Sequence, residues 1–166
     1  MDFHTVLSLL QASQDWKNWH ATHEDGFLAY GFVLFDDANK DAWQIGYFCS
    51  NIDRMTTFII SPDKISVGPE SEVMKDESGV LPLQLTEVKI DDIIAMNCAN
   101  QARIKSFSAE HPLKIFFILQ TLQIGTIYNV TFLTKSLRTL NFKISAQTGE
   151  IIAHSAESLV QMDKKK

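Results

Sequence analysis

Residues 53–61 read DRMTTFIIS, and residues 137–145 read LRTLNFKIS. Four of the nine positions are identical, and they carry Arg54, Phe58, Ile60 and Ser61 in the first stretch. Both stretches place apolar side chains at every second position towards their ends, which is typical of a β-strand with one buried face. The match raises the hypothesis that one strand-containing unit occurs twice in the chain.

The segments that precede these strands correspond as well, at nearly constant spacing. FLAYGFVLF (27–35) and LKIFFILQT (113–121) are both apolar on their two alternating faces. DAWQIGYFCS (41–50) aligns with TIYNVTFLT (126–134) so that Trp43 corresponds to Tyr128, and a turn with a further short strand follows each copy. Apolar strands of this length separated by turns predict an antiparallel meander in each copy.

A helix is predicted in front of each meander. Apolar residues recur at steps of three and four between residues 3 and 19, with a gap at Ser13, and a helix gathers them into one stripe. In the second copy, Asp91 or Asp92 is a suitable start for a helix through IIAMNCANQARIKSF. Each copy therefore reads as a helix followed by strands.

The two copies are separated by a polar stretch without periodicity, GPESEVMKDESGV (68–80), followed by LPLQLTEV (81–88), which is predicted to be extended. The predicted fold class is α+β, with two repeated units that each pack a helix on a small antiparallel sheet. The first unit is assigned to 1–68, the linker to 69–88 and the second unit to 89–166. Two such units form a pair and not a solenoid.

Composition narrows the functional classes. The chain has 166 residues, a formal net charge of −5, 45% hydrophobic and 21% charged residues, which is typical of a soluble globular protein. Basic residues are scattered except for Lys164, Lys165 and Lys166, so nucleic-acid binding is not predicted. No apolar stretch is long enough to cross a membrane, and the first residues lack the basic start of a signal peptide, so a cytoplasmic location is predicted.

The second unit resembles the PepSY-type module, a helix on a small antiparallel sheet that is related in shape to cystatins. The resemblance rests on VKIDDIIAMNCA (88–99) and on LNFKISAQTGEIIAHS (140–155), in which Gly149 supplies the turn. It implies a non-catalytic module that binds or inhibits other proteins, including peptidases. It brings no catalytic residues with it.

No catalytic, cofactor or metal site is predicted. The chain contains none of the motifs G-x-S-x-G, H-E-x-x-H, G-x-G-x-x-G or the P-loop, and Cys49 and Cys98 lack metal-ligand spacing. The alternative of a transition-metal site rests on four loop residues that could meet across the two units, His20, His23, Glu110 and His111. Polar residues at helix ends explain this set more simply.

The aromatic residues of the first unit give the candidate binding surface. Tyr30, Phe32, Trp43 and Tyr47 belong either to a core of large rings or to a partner-binding face. One helix covers one face of a sheet, so the other face needs the sister unit, a second copy or another protein. The predicted function is a non-catalytic protein-interaction module. The alternative is a small apolar-ligand binder or an enzyme that uses a cavity between helix and sheet.

Overall fold

The computed structural model describes residues 1–38 and 42–162 of the chain. The lysines at positions 164 to 166 therefore lie outside the described residues. The fold is α+β, with helices on one side of an antiparallel sheet. The helices are α1 (Phe3–Ala12), α2 (Gln14–Thr22), α3 (Asp92–Ser106) and α4 (Leu159–Met162). The strands are β1 (Phe27–Phe35), β2 (Trp43–Cys49), β3 (Arg54–Ser61), β4 (Lys64–Val67), β5 (Pro112–Leu122), β6 (Gly125–Thr134), β7 (Arg138–Ser145) and β8 (Ile151–Ser158).

All eight strands form one sheet in the order β4-β3-β2-β1-β5-β6-β7-β8. The prediction of a separate small sheet in each unit is wrong, because β1 and β5 pair antiparallel from Tyr30 opposite Gln120 to Phe35 opposite Ile115. These are the two strands that are apolar on both faces. Their pairing removes two open edges, which would otherwise leave rows of main-chain groups unpaired.

The helix predicted through residues 3–19 is divided in two at Ser13. Ser13 is extended, with φ −72° and ψ 153°, and its hydroxyl oxygen accepts a hydrogen bond from the Trp16 amide while its own amide bonds the Leu10 carbonyl. A serine that caps the next helix explains the gap in the apolar pattern. In the second half of the chain, α3 is continuous, and Asp91 caps it as predicted by accepting from the Ile94 amide at 2.8 Å.

The main hydrophobic core lies between the helices and one face of the sheet. It includes buried residues from α1, from α3 and from strands of both halves of the chain, such as Phe3, Ala99 and Leu140. Phe3 lies flat on β1, where a Cβ atom added at Gly31 would be 2.5 Å from its ring. The absence of a side chain at Gly31 is therefore what allows α1 to approach the sheet.

The connecting segment 69–88 packs against the sheet. Ser71 exchanges two main-chain hydrogen bonds with Met55, and the buried Leu83 donates its amide to the Leu28 carbonyl. The extended conformation predicted for 81–88 is not a strand, because residues 85–87 form a 3₁₀ helix. Its Glu87 carboxylate accepts hydrogen bonds from the main chain and hydroxyl of Thr126 on β6.

Candidate binding surface

Helices cover one face of the sheet. We call the opposite face the open face. Gly31 and Val33 of β1 are buried in the helix-side core, so the residues that alternate with them point to the open face. Strand registers extend this assignment to the neighbouring strands. The open face includes Tyr30, Phe32, Leu34, Gln44, Thr57, Ile59, Phe116, Ile118, Gln120, Asn129, Thr131, Asn141 and Lys143. At one end of it, Phe48 and Met55 are buried against Val73 and Val80 of the connecting segment.

The middle of the open face is apolar. Phe32 lies opposite Ile118, and Leu34 lies opposite Phe116, so two apolar pairs sit side by side where β1 meets β5. All four side chains are partly exposed, although they occupy the two central strands. A shallow depression of about 340 Å³ opens here, lined by Tyr30, Phe32, Gln44, Ile118 and Gln120.

Tyr30 is held flat on the open face by a glycine on the next strand. A Cβ atom added at Gly46 would lie 2.1 Å from the Tyr30 ring, so the ring occupies the space above this glycine. The Tyr30 hydroxyl then reaches across β2 to Thr57 Oγ1 on β3, at 3.0 Å. Gly46 was not singled out from the sequence. The available signal was a glycine inside a strand pattern, which marks a close approach.

The open face becomes polar towards β7. The Asn141 side-chain amide donates to Asn129 Oδ1 at 2.6 Å and to Thr131 Oγ1 at 2.7 Å. These three residues lie on adjacent strands and satisfy one another. The open face thus joins an apolar, aromatic area on β1 and β5 to a hydrogen-bonded amide area on β6 and β7.

The structure divides the four predicted partner-binding residues between two faces. Tyr30 and Phe32 lie on the open face, whereas Trp43 and Tyr47 are only 2% and 4% exposed in the helix-side core. Burial raises the pKa of the Tyr47 hydroxyl. Side chains alternate between the two faces along a strand, and residues opposite each other on paired strands point to the same face. Because Val33 lies opposite Trp43, both point to the helix side, whereas Phe32, next to Val33, points to the open face.

A second concavity lies between the two halves of the chain, on the helix side. This cleft of about 470 Å³ is lined by Met1, Asp2, Val33, Phe35, Trp43, Asp92, Ile93, Met96 and Asn97. Burial raises the pKa of the Asp92 carboxyl, and the negative charges of Asp2 and Asp91 act in the same direction. Most of the side chains that line the cleft are apolar, and the carboxyl groups of Asp2 and Asp92 are also part of the lining.

Three of the four loop residues of the metal alternative have other side-chain contacts. His23 Nε2 donates to Glu70 Oε1 at 2.9 Å, and the His20 ring stacks on Trp16. Glu110 accepts hydrogen bonds from Ser136 and from Arg138, and these bonds lower its pKa. Within residues 1–38 and 42–162, no group of three or more His, Cys, Asp or Glu side chains is arranged to hold a metal ion.

Comparison with known proteins identifies the fold. No protein-family model matches the chain, and no curated protein matches it. A crystal structure of "a putative lipoprotein" from Clostridium difficile 630 is similar, with a TM-score of 0.57 and 13% sequence identity over 85% of this chain and 89% of that one. In the described part of the chain, no helix combines the length and the apolar character needed to span a membrane. At this identity the likeness shows a shared α+β fold, while the PepSY resemblance and the cytoplasmic location stay predictions.

Proposed function

We propose that the protein is a non-catalytic binding module that docks another protein on the open face of its sheet. The observation that carries the proposal is the contiguous apolar area of Tyr30, Phe32, Leu34, Phe116 and Ile118, which the helices do not cover. Side chains facing water on an antiparallel sheet are usually polar. An apolar centre there indicates a surface that is covered when the protein works.

The size and chemistry of this area suit a protein partner. With strands about 4.8 Å apart and residues about 3.4 Å apart, the five apolar side chains on β1 and β5 cover roughly 160 Å² of the sheet. An area of this size fits the apolar core of an interface with a polar rim around it. Gln44, Gln120 and Asn129 at its border offer hydrogen bonds of the kind found at the rim of an interface. The expected partner presents an apolar surface with polar groups around it.

The test is an exchange of apolar for polar side chains on each side of the molecule. Phe32→Ser removes an aromatic ring from the centre of the open face, and Leu9→Ser removes a 47% exposed side chain from α1 as a matched control. Proteins retained by the wild-type chain from a lysate are compared with those retained by each variant, and the retained protein is then titrated in pure form. We expect Phe32→Ser to weaken its affinity by at least about tenfold, as for a central interface residue.

Equal retention by Phe32→Ser and the wild type would contradict the proposal, provided that thermal denaturation shows both to be folded. Loss of binding in Leu9→Ser but not in Phe32→Ser would place the interface on the helix side. The control is informative because Leu9 is more exposed than Phe32 and lies outside the main core.

A second candidate function is the binding of a small apolar ligand in the cleft between α1 and α3. Its volume of about 470 Å³ falls within the range of small-molecule sites, and Trp43, Met96 and Ile93 give it an apolar lining. Native mass spectrometry of the purified protein would reveal a bound compound as added mass. Met96→Trp fills the cleft, so that added mass should be lost in this variant while the binding of a protein to the open face remains.

We also propose that the two halves, 1–68 and 89–166 with 69–88 as linker, are copies of one unit. The order of helix and four strands is the same in both halves, and the strand order of the sheet is symmetric about the β1–β5 pair. Among described residues other than glycine, positive φ occurs at Asp53 (56°) and Leu137 (61°), which are the first positions of the two matching stretches. A backbone feature that bulky residues disfavour thus recurs at equivalent positions.

A further inference from the structure

The two edges of the sheet differ in how far they are protected. The edge strand β4 has four residues, contacts α2, and leads directly into Gly68, whose amide bonds the Thr57 carbonyl. The opposite edge strand β8 has eight residues, of which the first seven, 151–157, are exposed and Ser158 is partly exposed. Proteins usually keep edge strands short or cover them, because an open edge is a template for another strand.

The main-chain register shows which groups of β8 face outwards. The Leu159 amide donates to the Leu137 carbonyl at 2.9 Å, in continuation of the pairing of Ser158 with Arg138. In an antiparallel pair, residues alternate between those that bond the neighbouring strand and those that bond away from it. Ser158, Ala156 and His154 therefore direct their amide and carbonyl groups away from β7, towards the open edge.

We propose that β8 is the pairing edge for a second copy of this chain, with the two β8 strands antiparallel and Ser155 opposite Ser155 of the other copy. In this register His154 of each copy lies opposite Ala156 of the other copy. The amide and carbonyl groups of these residues point away from β7, so those of one copy can bond those of the other. The same register also pairs Glu157 with Ala153 on the other side of the strand. The inference goes beyond the proposed function, because it uses a different surface.

Self-complementarity is the reason for choosing a second copy as the occupant. The two titratable side chains of β8, His154 and Glu157, each meet an alanine in this register, so no like charges oppose each other. Ile152, which is 46% exposed, comes opposite Ser158. Strand-to-strand pairing over eight residues buries roughly 300 Å² per partner from strand length and sheet thickness. Because a standard interface buries about 800 Å² per partner, we expect a weak dimer that forms as concentration rises.

The first experiment measures mass by light scattering across a concentration series. The wild type should move from 18.8 kDa towards twice that mass. Ala156→Pro removes one outward amide without breaking the bonds to β7, and it should keep the protein monomeric. Val67→Pro is the matched control on the other edge: the Gly68 bond to Thr57 places the Val67 amide outwards, and the residue is 44% exposed. This control should dimerise like the wild type.

The second experiment does not depend on a proline being tolerated. Ser155→Cys, in a Cys98→Ser background, should form an intermolecular disulfide on mild oxidation, since directly opposed residues of a non-bonded pair lie about 4.5 Å apart. Glu157→Cys in the same background is the control. In the proposed register, residue 157 of one copy lies four residues, about 14 Å, from residue 157 of the other copy, which is too far for a disulfide.

A wild type that stays monomeric up to about 1 mM would overturn the proposal, because edge pairing of this kind forms weak but measurable dimers. A dimer that persists in Ala156→Pro and is lost in Phe32→Ser would overturn it as well, by placing self-association on the open face. Equal crosslinking of Ser155→Cys and Glu157→Cys would exclude the register. Crosslinking of Ser155→Cys alone would support both edge and register.

Discussion

The two faces of the sheet differ in how uniformly they are apolar. The helix face is buried on strands of both halves, including Phe58 on β3, Phe117 on β5 and Leu140 on β7. The open face is apolar around β1 and β5 and at Phe48 and Met55, where the connecting segment covers it, and it becomes a network of amides at Asn129 and Asn141. Burial under helices demands apolar residues on every strand, because an unpaired polar group there would be costly. A face open to water has no such demand, so its apolar part calls for a separate explanation.

The sharpest test of this difference uses two neighbouring phenylalanines of β5 that point to opposite faces. Phe117 is 1% exposed in the helix-side core, whereas Phe116 is partly exposed on the open face. Phe117→Ala should lower the free energy of unfolding by about 3–5 kcal/mol, and Phe116→Ala by about 1 kcal/mol. Urea denaturation measures both. Equal losses would mean that the open face is as well packed as the core.

Two glycines allow the same comparison with an added methyl group. Gly31→Ala pushes against the Phe3 ring, which is enclosed in the core, and should cost about 1–3 kcal/mol. Gly46→Ala pushes against the Tyr30 ring, which can lift into solvent, so we expect a loss below about 1 kcal/mol. Thermal denaturation ranks the two variants, and a larger loss for Gly46→Ala would show that Tyr30 is held rigidly. Tyr30→Leu removes the hydroxyl bonded to Thr57 and serves as a control for how much the Tyr30 side chain itself contributes to stability.

A smaller effect is expected from a buried tyrosine of the helix face. Tyr128 donates its hydroxyl to the Ile90 carbonyl at 2.8 Å, and burial, helped by Asp92 and Asp91, raises its pKa well above 10. Because the folded pKa is higher than the unfolded one, its contribution is complete below pH 10 and is lost as the pH rises above that value. Tyr128→Phe should cost about 1 kcal/mol at neutral pH and flatten the fall in stability at alkaline pH. Denaturation at pH 7 and pH 11 tests this, and an unchanged alkaline slope would contradict it.

The smallest effect concerns the turns before β3 and β7. Leu137 adopts a positive φ that a branched hydrophobic residue disfavours, and its side chain is 47% exposed, so Leu137→Gly should raise stability by up to about 1 kcal/mol. Asp53→Gly should bring less, since aspartate tolerates this conformation better and Asp53 also pairs with Lys75. Melting temperatures of the two variants give the order. A destabilised Leu137→Gly would mean that its side chain contributes more by packing than it costs in strain.

Local patterns in the sequence were sufficient for most individual elements. The start of α3 at Asp91 follows from capping chemistry. The strands β1 and β5 follow from continuous apolar runs between turns, and β2, β3, β6 and β7 follow from apolar alternation. The break at Ser13 was visible only as a gap, because a serine inside an apolar pattern reads as either a helix surface position or a cap. The 3₁₀ helix at 85–87 has no comparable signal in its sequence.

The candidate site could be predicted only in part. Tyr30, Phe32, Trp43 and Tyr47 were assigned from the sequence either to a core of large rings or to a partner-binding face, and the structure places only Trp43 and Tyr47 in the core. Alternation shows that residues of one strand divide between two faces, but it does not show which face receives the helices. Gly46 makes the position of Tyr30 possible, and its role depends on a side chain of another strand.

The sequence by itself determined most helices and strands of this protein and their order, because capping, turn formation and alternation act between residues that are near in the chain. Only the tertiary structure decided that β1 pairs with β5, that one face stays open and that β8 forms an exposed edge. Strands pair through amide and carbonyl groups that almost every residue carries, so the choice of neighbour leaves little trace in side-chain identity. Which face is buried is likewise settled by where the helices pack.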